Sequence, residues 1–522
     1  MRLEGRYLRA AVMTCAGFGY ALFGYDQGVL SGLLLMEQFV SQYKLVNADG
    51  SSKAAVVANI VALYEIGCAV GALSVMPLGE RLGRKRAMYL GCSIMIVGAL
   101  IQTTSYNVPQ LIAGRIITGV GNGINTSTIP VWQGELTRPV SRGRDVSVGF
   151  VLNIFGLAVA YWIGYGTSFL DSSASFRFPI AFQIFFALGV LFMLPFLPES
   201  PRWLMFHGDK DQATKVLANT IGRKGLEIDD PAVVAESRLI QETIDLELEI
   251  GKKFAISELF SVGESKNLYR ILLCAVVGLG QQLSGINVIS YYLTIVFNTS
   301  IHLSPDLSRL MAGFNGLEYM VATILACFTI DHFGRRNLLM IGAAGQAASL
   351  FILCGLVKIL DEGSNSKGAA GVAAAMLFLF NTFFGPTWLP IPWLYPTEIT
   401  TLRLRSKGAA IATFAIWISC FAVAEFTPPA IQNLGWRLYL MFGIFNVGFI
   451  VIVYFCFPET SRKRLEEIDY IFNEDFKTRN KVGKAPIFLS TGDEVEEARK
   501  AENNEKGKGE MVLVEESGSK CS

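Results

Sequence analysis

The sequence predicts an all-α membrane protein: twelve transmembrane helices in two six-helix parallel repeats, with a cytoplasmic helical linker between them. Three observations carry that prediction. The chain of 522 residues is 52% hydrophobic and only 17% charged, where soluble domains carry roughly a quarter charged residues. Apolar runs of about 20 residues, enough to cross hydrocarbon as a helix, recur twelve times. Short polar motifs of the first half also return in the second.

The runs fall at 10–36, 54–78, 87–105, 109–132, 147–168 and 178–197, then at 268–297, 310–330, 338–360, 370–396, 407–427 and 437–457. Met1 to Arg9 is short and basic like the start of a signal peptide, but the run after it is too long, so it reads as the first membrane helix. Cations in the short loops set direction. Arg81, Arg84, Lys85 and Arg86 follow span two, and Arg138, Arg142 and Arg144 follow span four. Arg335 and Arg336 follow span eight, and Arg403, Arg405 and Lys407 follow span ten. Even-numbered spans therefore end in the cytoplasm, with both termini inside.

Four units result: an N-terminal bundle (1–197), a cytoplasmic helical linker (198–266), a C-terminal bundle (267–457) and a cytoplasmic tail (458–522). In the linker, 211–219, 235–249 and 256–260 combine helix formers with charges on one side. From Lys477 onward the tail is rich in Lys, Glu, Gly and Ser and poor in aromatics, a composition that predicts disorder.

Composition also excludes function classes. A net charge of +1 gives no reason to expect a nucleic-acid partner. The 9 cysteines form no CxxC pair and His207, His302 and His332 are scattered, so no metal site and no cofactor is expected. No nucleophile–base constellation suggests an enzyme.

The repeat is explicit in the polar motifs. Residues 79–86, GERLGRKR, return as IDHFGRRN at 330–337. PESPR at 198–202 returns as PETSR at 458–462, and Glu135 with Arg142-Gly143 returns as Glu398 with Lys407-Gly408. A shared offset of roughly 250–265 residues means six spans duplicated. Positive-inside anchoring explains the cations alone. The acids that recur with them, Glu80, Glu135, Glu199, Asp331, Glu398 and Glu459, predict ion pairs with Arg84, Arg142, Arg202, Arg335, Arg405 and Arg462 that form a cytoplasmic gate. One exposed pair is worth at most ~1 kcal/mol, yet several together bias an equilibrium of a few kcal/mol.

Span seven holds the most informative stretch. Gln281, Gln282, Ser284 and Asn287 sit mid-run beside Gly285, where hydrocarbon offers no hydrogen bonds. Amides without net charge can donate and accept, which suits a neutral, hydroxyl-rich ligand. A single amide would read as glue between helices; four polar groups beside a glycine favour a ligand site. Three prolines in 385–393, GPTWLPIPW, permit a hinge or unwound segment in span ten, with Trp388 and Trp393 offering flat faces to a sugar ring.

Asp26 in span one and Arg115 in span four are ions inside the membrane, each costing ~2.5–3.5 kcal/mol unless paired. A pair that breaks on protonation and a permanent structural pair are equal readings of these residues. Glu65 and Glu318 are further acids in spans two and eight, each a second proton site or a buried partner. Gly119, Gly121 and Gly123 mimic a dinucleotide fingerprint, but no strand precedes them, and close helix packing is the better reading.

Taken together, these motifs resemble the sugar porter family of the major facilitator superfamily, whose six-plus-six arrangement carries its site between the halves. The resemblance covers residues 10–470 and rests on GYDQGVLSG (24–32), ERLGRKR (80–86), GRIITGVGNG (114–123), PESPRWL (198–204), QQLSGIN (281–287), DHFGRR (331–336) and PET (458–460). GYDQG, VWQGE (131–135) and EFTPPAIQ (425–432) resemble the fungal branch of hexose, pentose, disaccharide and polyol carriers. It implies that Gln281, Gln282 and Asn287 bind sugar hydroxyls, that Trp393 lines the site, and that Asp26 and Arg115 form a proton-linked pair. Facilitators of that branch also often carry the acid, so coupling stays open. Three positions depart from the family pattern: Phe150, Tyr319 and Ile416 stand where amides are usual, with Asn153 and Asn315 each about one turn away as substitutes.

The expectation is a multi-pass transporter of a neutral sugar or polyol at a fungal plasma membrane. It works by alternating access as a monomer in the bilayer, with protons coupled through Asp26 and Arg115. A transport-inactive nutrient sensor, or a carrier of a quinate-like acid, is the alternative.

Overall fold

The computed structural model describes residues 5–47, 51–137, 142–220, 230–251, 261, 266–363, 366–401, 404–461 and 472. The linker stretch 256–260 and the tail from Lys477 lie outside them. Among the described residues the elements are helices, apart from one isolated bridge between Val46 and Ser52.

Twelve spans are formed. In the first half they are Gly5–Leu33, Ala54–Leu82, Arg84–Thr103, Val108–Leu136, Arg142–Thr167 and Ala174–Met193. Span seven is Asn267–Leu283 continued by Ile286–Tyr291, and span eight is Pro305–Phe333. Span nine is Arg335–Asp361, span ten Lys367–Phe384 continued by Ile391–Ile399, span eleven Arg405–Leu434 and span twelve Arg437–Cys456. Among the described residues, ten helices are long and apolar enough to cross a membrane on their own composition. Spans one and four fall outside that group because Asp26, Arg115, Asn122 and Asn125 dilute them. All four of these side chains are buried in the bundle, so the polar groups face protein rather than lipid. Between spans six and seven lie helices Pro201–Phe206, Lys210–Thr220 and Pro231–Gly251.

Packing repeats with the sequence. In the first half span one lies on five, span two on four, span three on four and six. In the second half seven lies on eleven, eight on ten, nine on ten and twelve. The halves meet mainly where span two packs on eleven and span five on eight. Advancing each number by six, cyclically, turns one contact into the other, as a duplicated unit about a shared axis requires.

Two spans are broken, and the sequence gives the reason for each. In span seven Gly285 takes φ +100°, a left-handed conformation that glycine adopts without strain, and the helix restarts at Ile286. A second irregularity at Tyr292 precedes a wide turn at Val296–Ser300. In span ten the helix stops at Phe384 and resumes at Ile391. Pro390 and Pro392 supply no N–H, so the carbonyls a turn before them lose their helical partners.

Span four packs through its glycines. A Cβ on Gly119 would stand 2.2 Å from the Tyr64 carbonyl oxygen, one on Gly123 2.1 Å from that of Cys68, and one on Gly121 2.5 Å from that of Gly91. Spans two and three therefore approach span four backbone to backbone, the means by which helices associate where lipid weakens the hydrophobic drive. Gly123→Ala should accordingly lower the thermal unfolding midpoint in detergent, through an overpacking cost of ~1–3 kcal/mol. Gly355→Ala, which meets nothing within 4 Å, should leave that midpoint unchanged.

Candidate functional site

A small cavity lies between the halves at mid-span. Span one contributes Phe23 and Gln27, and span five Phe150, Asn153, Ile154 and Leu157. Span seven contributes Gln281, Gln282, Ile286, Asn287, Ser290 and Tyr291. Tyr319, Phe384, Leu389, Trp393, Ile416, Trp417 and Cys420 complete the wall from spans eight, ten and eleven. The wall is therefore divided: span seven supplies uncharged polar groups, and rings and aliphatic chains supply most of the rest.

The polar face is one directed chain of hydrogen bonds. Asn287 Nδ2 donates to Gln282 Oε1 at 2.7 Å, and Gln282 Nε2 donates to Gln281 Oε1 at 3.2 Å. Gln281 Nε2 then donates to the carbonyls of Trp388 and Leu389, at 2.8 and 3.1 Å. Those two acceptors exist because span ten is broken. The normal donor to Trp388 O would be the N–H of residue 392, which is Pro392, while the Trp393 N–H is turned to Pro390 O. Gln281 thus satisfies a backbone defect, which is glue, though it lines the cavity together with Gln282 and Asn287. The chain also reaches Cys420, whose Sγ takes a bond from Asn287 Nδ2 at 3.2 Å.

Two expected ligand contacts are corrected. Trp388 does not line the cavity: it is 1% exposed and its Nε1 donates to Leu339 O on span nine at 3.0 Å. Asn315 does not line it either. Its Oδ1 accepts from Asn381 Nδ2 at 2.8 Å, joining spans eight and ten. Asn153 does line the wall, but its Nδ2 donates to Tyr20 O at 3.3 Å, leaving its oxygen as the group turned to other partners. Trp393 lines the wall beside Phe150, ring centroids 6.4 Å apart. Sequence reasoning missed Gln27, Tyr291, Trp417 and Cys420. Tyr291 was within reach, since it follows Asn287 by four residues and so shares its helical face.

Asp26 and Arg115 meet. Arg115 Nη1 donates to Asp26 Oδ1 at 3.0 Å, with both side chains buried. The guanidinium also stands over the Tyr64 ring, 4.2 Å from its centroid, a stabilising position for a desolvated cation. The pair lies behind the cavity wall, not in it; its neighbour Gln27 is what reaches the cavity. Of the two further acids, Glu318 accepts from Thr382 Oγ1 at 2.6 Å, and Glu65 accepts from Tyr291 Oη at 2.6 Å.

The expected gate residues form two matching clusters at the linker end, each within one half. In the first, Arg84 Nε and Nη2 both reach Glu135 at 3.1 Å, while Glu199 accepts the N–H groups of Arg84 and Lys85, each at 3.1 Å. In the second, Arg335 Nε and Nη2 reach Glu398 at 3.3 and 3.0 Å, and Glu459 accepts the N–H groups of Arg335 and Arg336 at 2.9 and 3.1 Å. Glu199 and Glu459 cap the starts of spans three and nine, where a negative charge faces unmet donors. The described pairs tie helices within a half, Arg84 to Glu135 in one and Arg335 to Glu398 in the other. Arg202 directly follows Pro201, the first residue of the short helix that Ser200 caps. The side chains of Glu80, Arg142, Asp331 and Arg405, and the whole of Arg462, lie outside the described residues.

Bonds between the halves gather from the cavity level to the end remote from the linker. Gln27 Nε2 donates to Tyr291 Oη at 3.3 Å, and Tyr161 Oη to Ser290 O at 2.5 Å. Thr294 bonds Ser31, Arg309 Nη1 reaches Leu35 O at 3.3 Å, and Gln432 Nε2 reaches Ser52 O at 3.0 Å. These bonds tie the two halves together toward that far end.

A family model described as "Sugar (and other) transporter" matches residues 12–472. The chain belongs to that family. Its relatives are carriers, not enzymes. It is 39% identical over 473 residues to the MFS-type transporter oryC of Aspergillus oryzae, covering 91% of this chain and 87% of the relative. It is also 39% identical over 482 residues to the Sugar transporter STL1 of Saccharomyces cerevisiae, covering 91% and 83%. Among solved structures it resembles the proton:xylose symporter XylE bound to 6-bromo-6-deoxy-D-glucose, with TM-score 0.73 and 26% identity, covering 89% of this chain and 99% of that one. The two-half architecture and the twelve spans of this transporter are those of the major facilitator fold.

The clusters at the linker end have a measurable weight. Glu459→Ala leaves two helix-start N–H groups without their anion, and hydrogen bonds to a charged partner are worth ~1.5–3 kcal/mol. It is expected to lower the thermal midpoint clearly. Arg238→Ala breaks the exposed pair with Glu242 and is expected to leave the midpoint where it was.

Proposed function

We propose that this transporter carries a neutral sugar or polyol across the membrane by alternating access. The observation that carries the reading is the uncharged amide row of span seven, set along one wall of a cavity between the halves. Gln282 keeps a second N–H, and Asn287 keeps Oδ1, to meet ligand hydroxyls. The rings of Trp393, Trp417 and Phe23 offer the flat apolar contact that a sugar's C–H face uses. No charged side chain is among the lining residues described. An anion such as a quinate-like acid would want an exposed cation there, and Arg115 is paired with Asp26.

Phe150, Tyr319 and Ile416 all line the wall. They make it less polar than a wall of amides, which favours a ligand with fewer hydroxyls or a larger apolar face. Transport, rather than nutrient sensing, is favoured by the two breaks in the span that bears the amides, since a receptor needs no mobile wall.

Proton coupling is part of the proposal. Protonating Asp26 removes the charge that holds Arg115, and the Tyr64 face is the cation's remaining neighbour. One proton per substrate at 100 mV supplies about 2.3 kcal/mol, which supports roughly fiftyfold accumulation, because ~1.4 kcal/mol is a factor of ten. The proposed setting is a plasma membrane, with the linker and both termini on the cytoplasmic side and the carrier working as a monomer.

Uptake of labelled glucose, xylose, glycerol and sorbitol into carrier-deficient cells, at external pH 5 and 7, tests this. At least one of the four should be accumulated, faster at the lower pH; absence of uptake despite surface expression would favour the sensor. For the compound carried, Asn287→Ala is expected to raise half-saturation about fivefold or more, the effect of ~1 kcal/mol of lost hydrogen bonding. Asp26→Asn should retain exchange across the membrane and lose accumulation. Accumulation that persists in that variant would remove the proton assignment.

A further inference from the structure

We propose that Glu65 is a positioning residue of the transport cycle. Its carboxylate holds the amide-bearing segment of span seven against span two, keeping the far end closed. The proposal rests on the alternating-access reading for its purpose, though not for its geometry.

A carboxylate in mid-membrane costs kcal/mol unless something meets it, and Glu65 is 0% exposed. What meets it belongs to the other half: Tyr291 Oη donates to Glu65 Oε1 at 2.6 Å. The same hydroxyl takes Gln27 Nε2 from span one at 3.3 Å and stands 3.6 Å from Cys420 Sγ on span eleven. Among the described residues, Glu65 Oε2 has no hydrogen-bond partner. Tyr291 Oη and the Cys420 thiol on span eleven both stand against the carboxyl, so what fastens it across the interface belongs to the other half.

That bond lands on a special piece of chain. Ile286–Tyr291 is one short helix, bounded by Gly285 at φ +100° and by Tyr292 at φ −117°, ψ 17°. With a break on either side, it can move as a unit relative to Asn267–Leu283. It carries Asn287 at one end of its cavity face and Tyr291 at the other. Fixing Tyr291 fixes Asn287. On the other side of the bond, the residue before Glu65 is Tyr64, the ring under Arg115. Two consecutive residues of span two therefore touch the Asp26–Arg115 pair and the ligand-bearing segment. Span one makes a second such link, since Gln27, next to Asp26, donates to the same Tyr291 hydroxyl.

The test uses the full-length protein with spin labels at Thr104→Cys and Lys367→Cys. These exposed positions end span three and begin span ten at the far end, one in each half. Cys327, Cys420, Cys456 and Cys521 are replaced by serine so that only the two introduced cysteines carry label. Pulsed electron–electron distances are then measured in lipid nanodiscs, without any ligand. Glu65→Ala and Tyr291→Phe should each shift the population to longer distances, and the double variant should shift it no further than Glu65→Ala alone, because both remove the same bond. Glu65→Gln, which keeps an acceptor oxygen, should hold the short distances. Unchanged distances in Glu65→Ala, additive shifts in the double variant, or a Glu65→Gln that opens as fully as Glu65→Ala would each overturn the proposal. If Glu65→Ala does not elute as a single folded species, Tyr291→Phe against Glu65→Gln decides the matter. Because no substrate enters the measurement, a carrier that moves none of the four labelled compounds leaves this result standing, and a failed clasp leaves the uptake result standing.

Discussion

A glutamine in the middle of a bilayer has no water to turn to, and this constraint organises the structure. Every polar side chain on span seven must find its partner in protein, and the partners it finds define the cavity. Gln281 answers two carbonyls that Pro392 and the bent backbone of span ten leave without donors. Gln282 and Asn287 follow in the same direction, each donating to the one before. A defect in one helix and a polar row on another are thus halves of a single arrangement. If hydrocarbon is to exclude the rest of the chain, the cavity has to be here.

The same constraint explains why the charged groups are where they are. Asp26 and Arg115 neutralise each other behind the wall, so the cavity keeps neutral chemistry while a titratable pair sits one residue from Gln27. At the linker end the acids cap helix starts and hold arginines, twice over, in clusters that match residue for residue. Each cluster stiffens its own half. The halves can then move as bodies against one another, with the breaks at Gly285 and at 385–390 as the parts that give. Alternating access needs that division between rigid and yielding parts.

Much of this was legible in the sequence. Span number, duplication and the polar row on span seven were readable because lipid imposes a length and forbids unpaired groups. The Asp26–Arg115 pair was readable because membrane ions come in pairs. Trp388 misled: a Trp between prolines looks mobile, but its N–H was already claimed by the Leu339 carbonyl on a helix that is distant in sequence. Asn315 misled in the same way, since its partner Asn381 lies on another span. The direction of the gate pairs was also hidden. Charge pattern says that acids and arginines will pair, while only the packing says whether the pairing runs within a half or between halves. Side-chain partners 49 to 66 residues apart are set by tertiary packing, and no local pattern encodes them.

The central claim is that ligand occupies the space beside Asn287. Cys420 reports on that space directly, since it lines the cavity and takes a hydrogen bond from Asn287 Nδ2 at 3.2 Å. Its alkylation rate by N-ethylmaleimide, followed by mass spectrometry in the purified protein, measures occupancy without transport. The account predicts that whichever labelled sugar or polyol is carried slows that reaction in a saturable way, at the concentration that half-saturates uptake. A carried compound that leaves the Cys420 rate unchanged would contradict it.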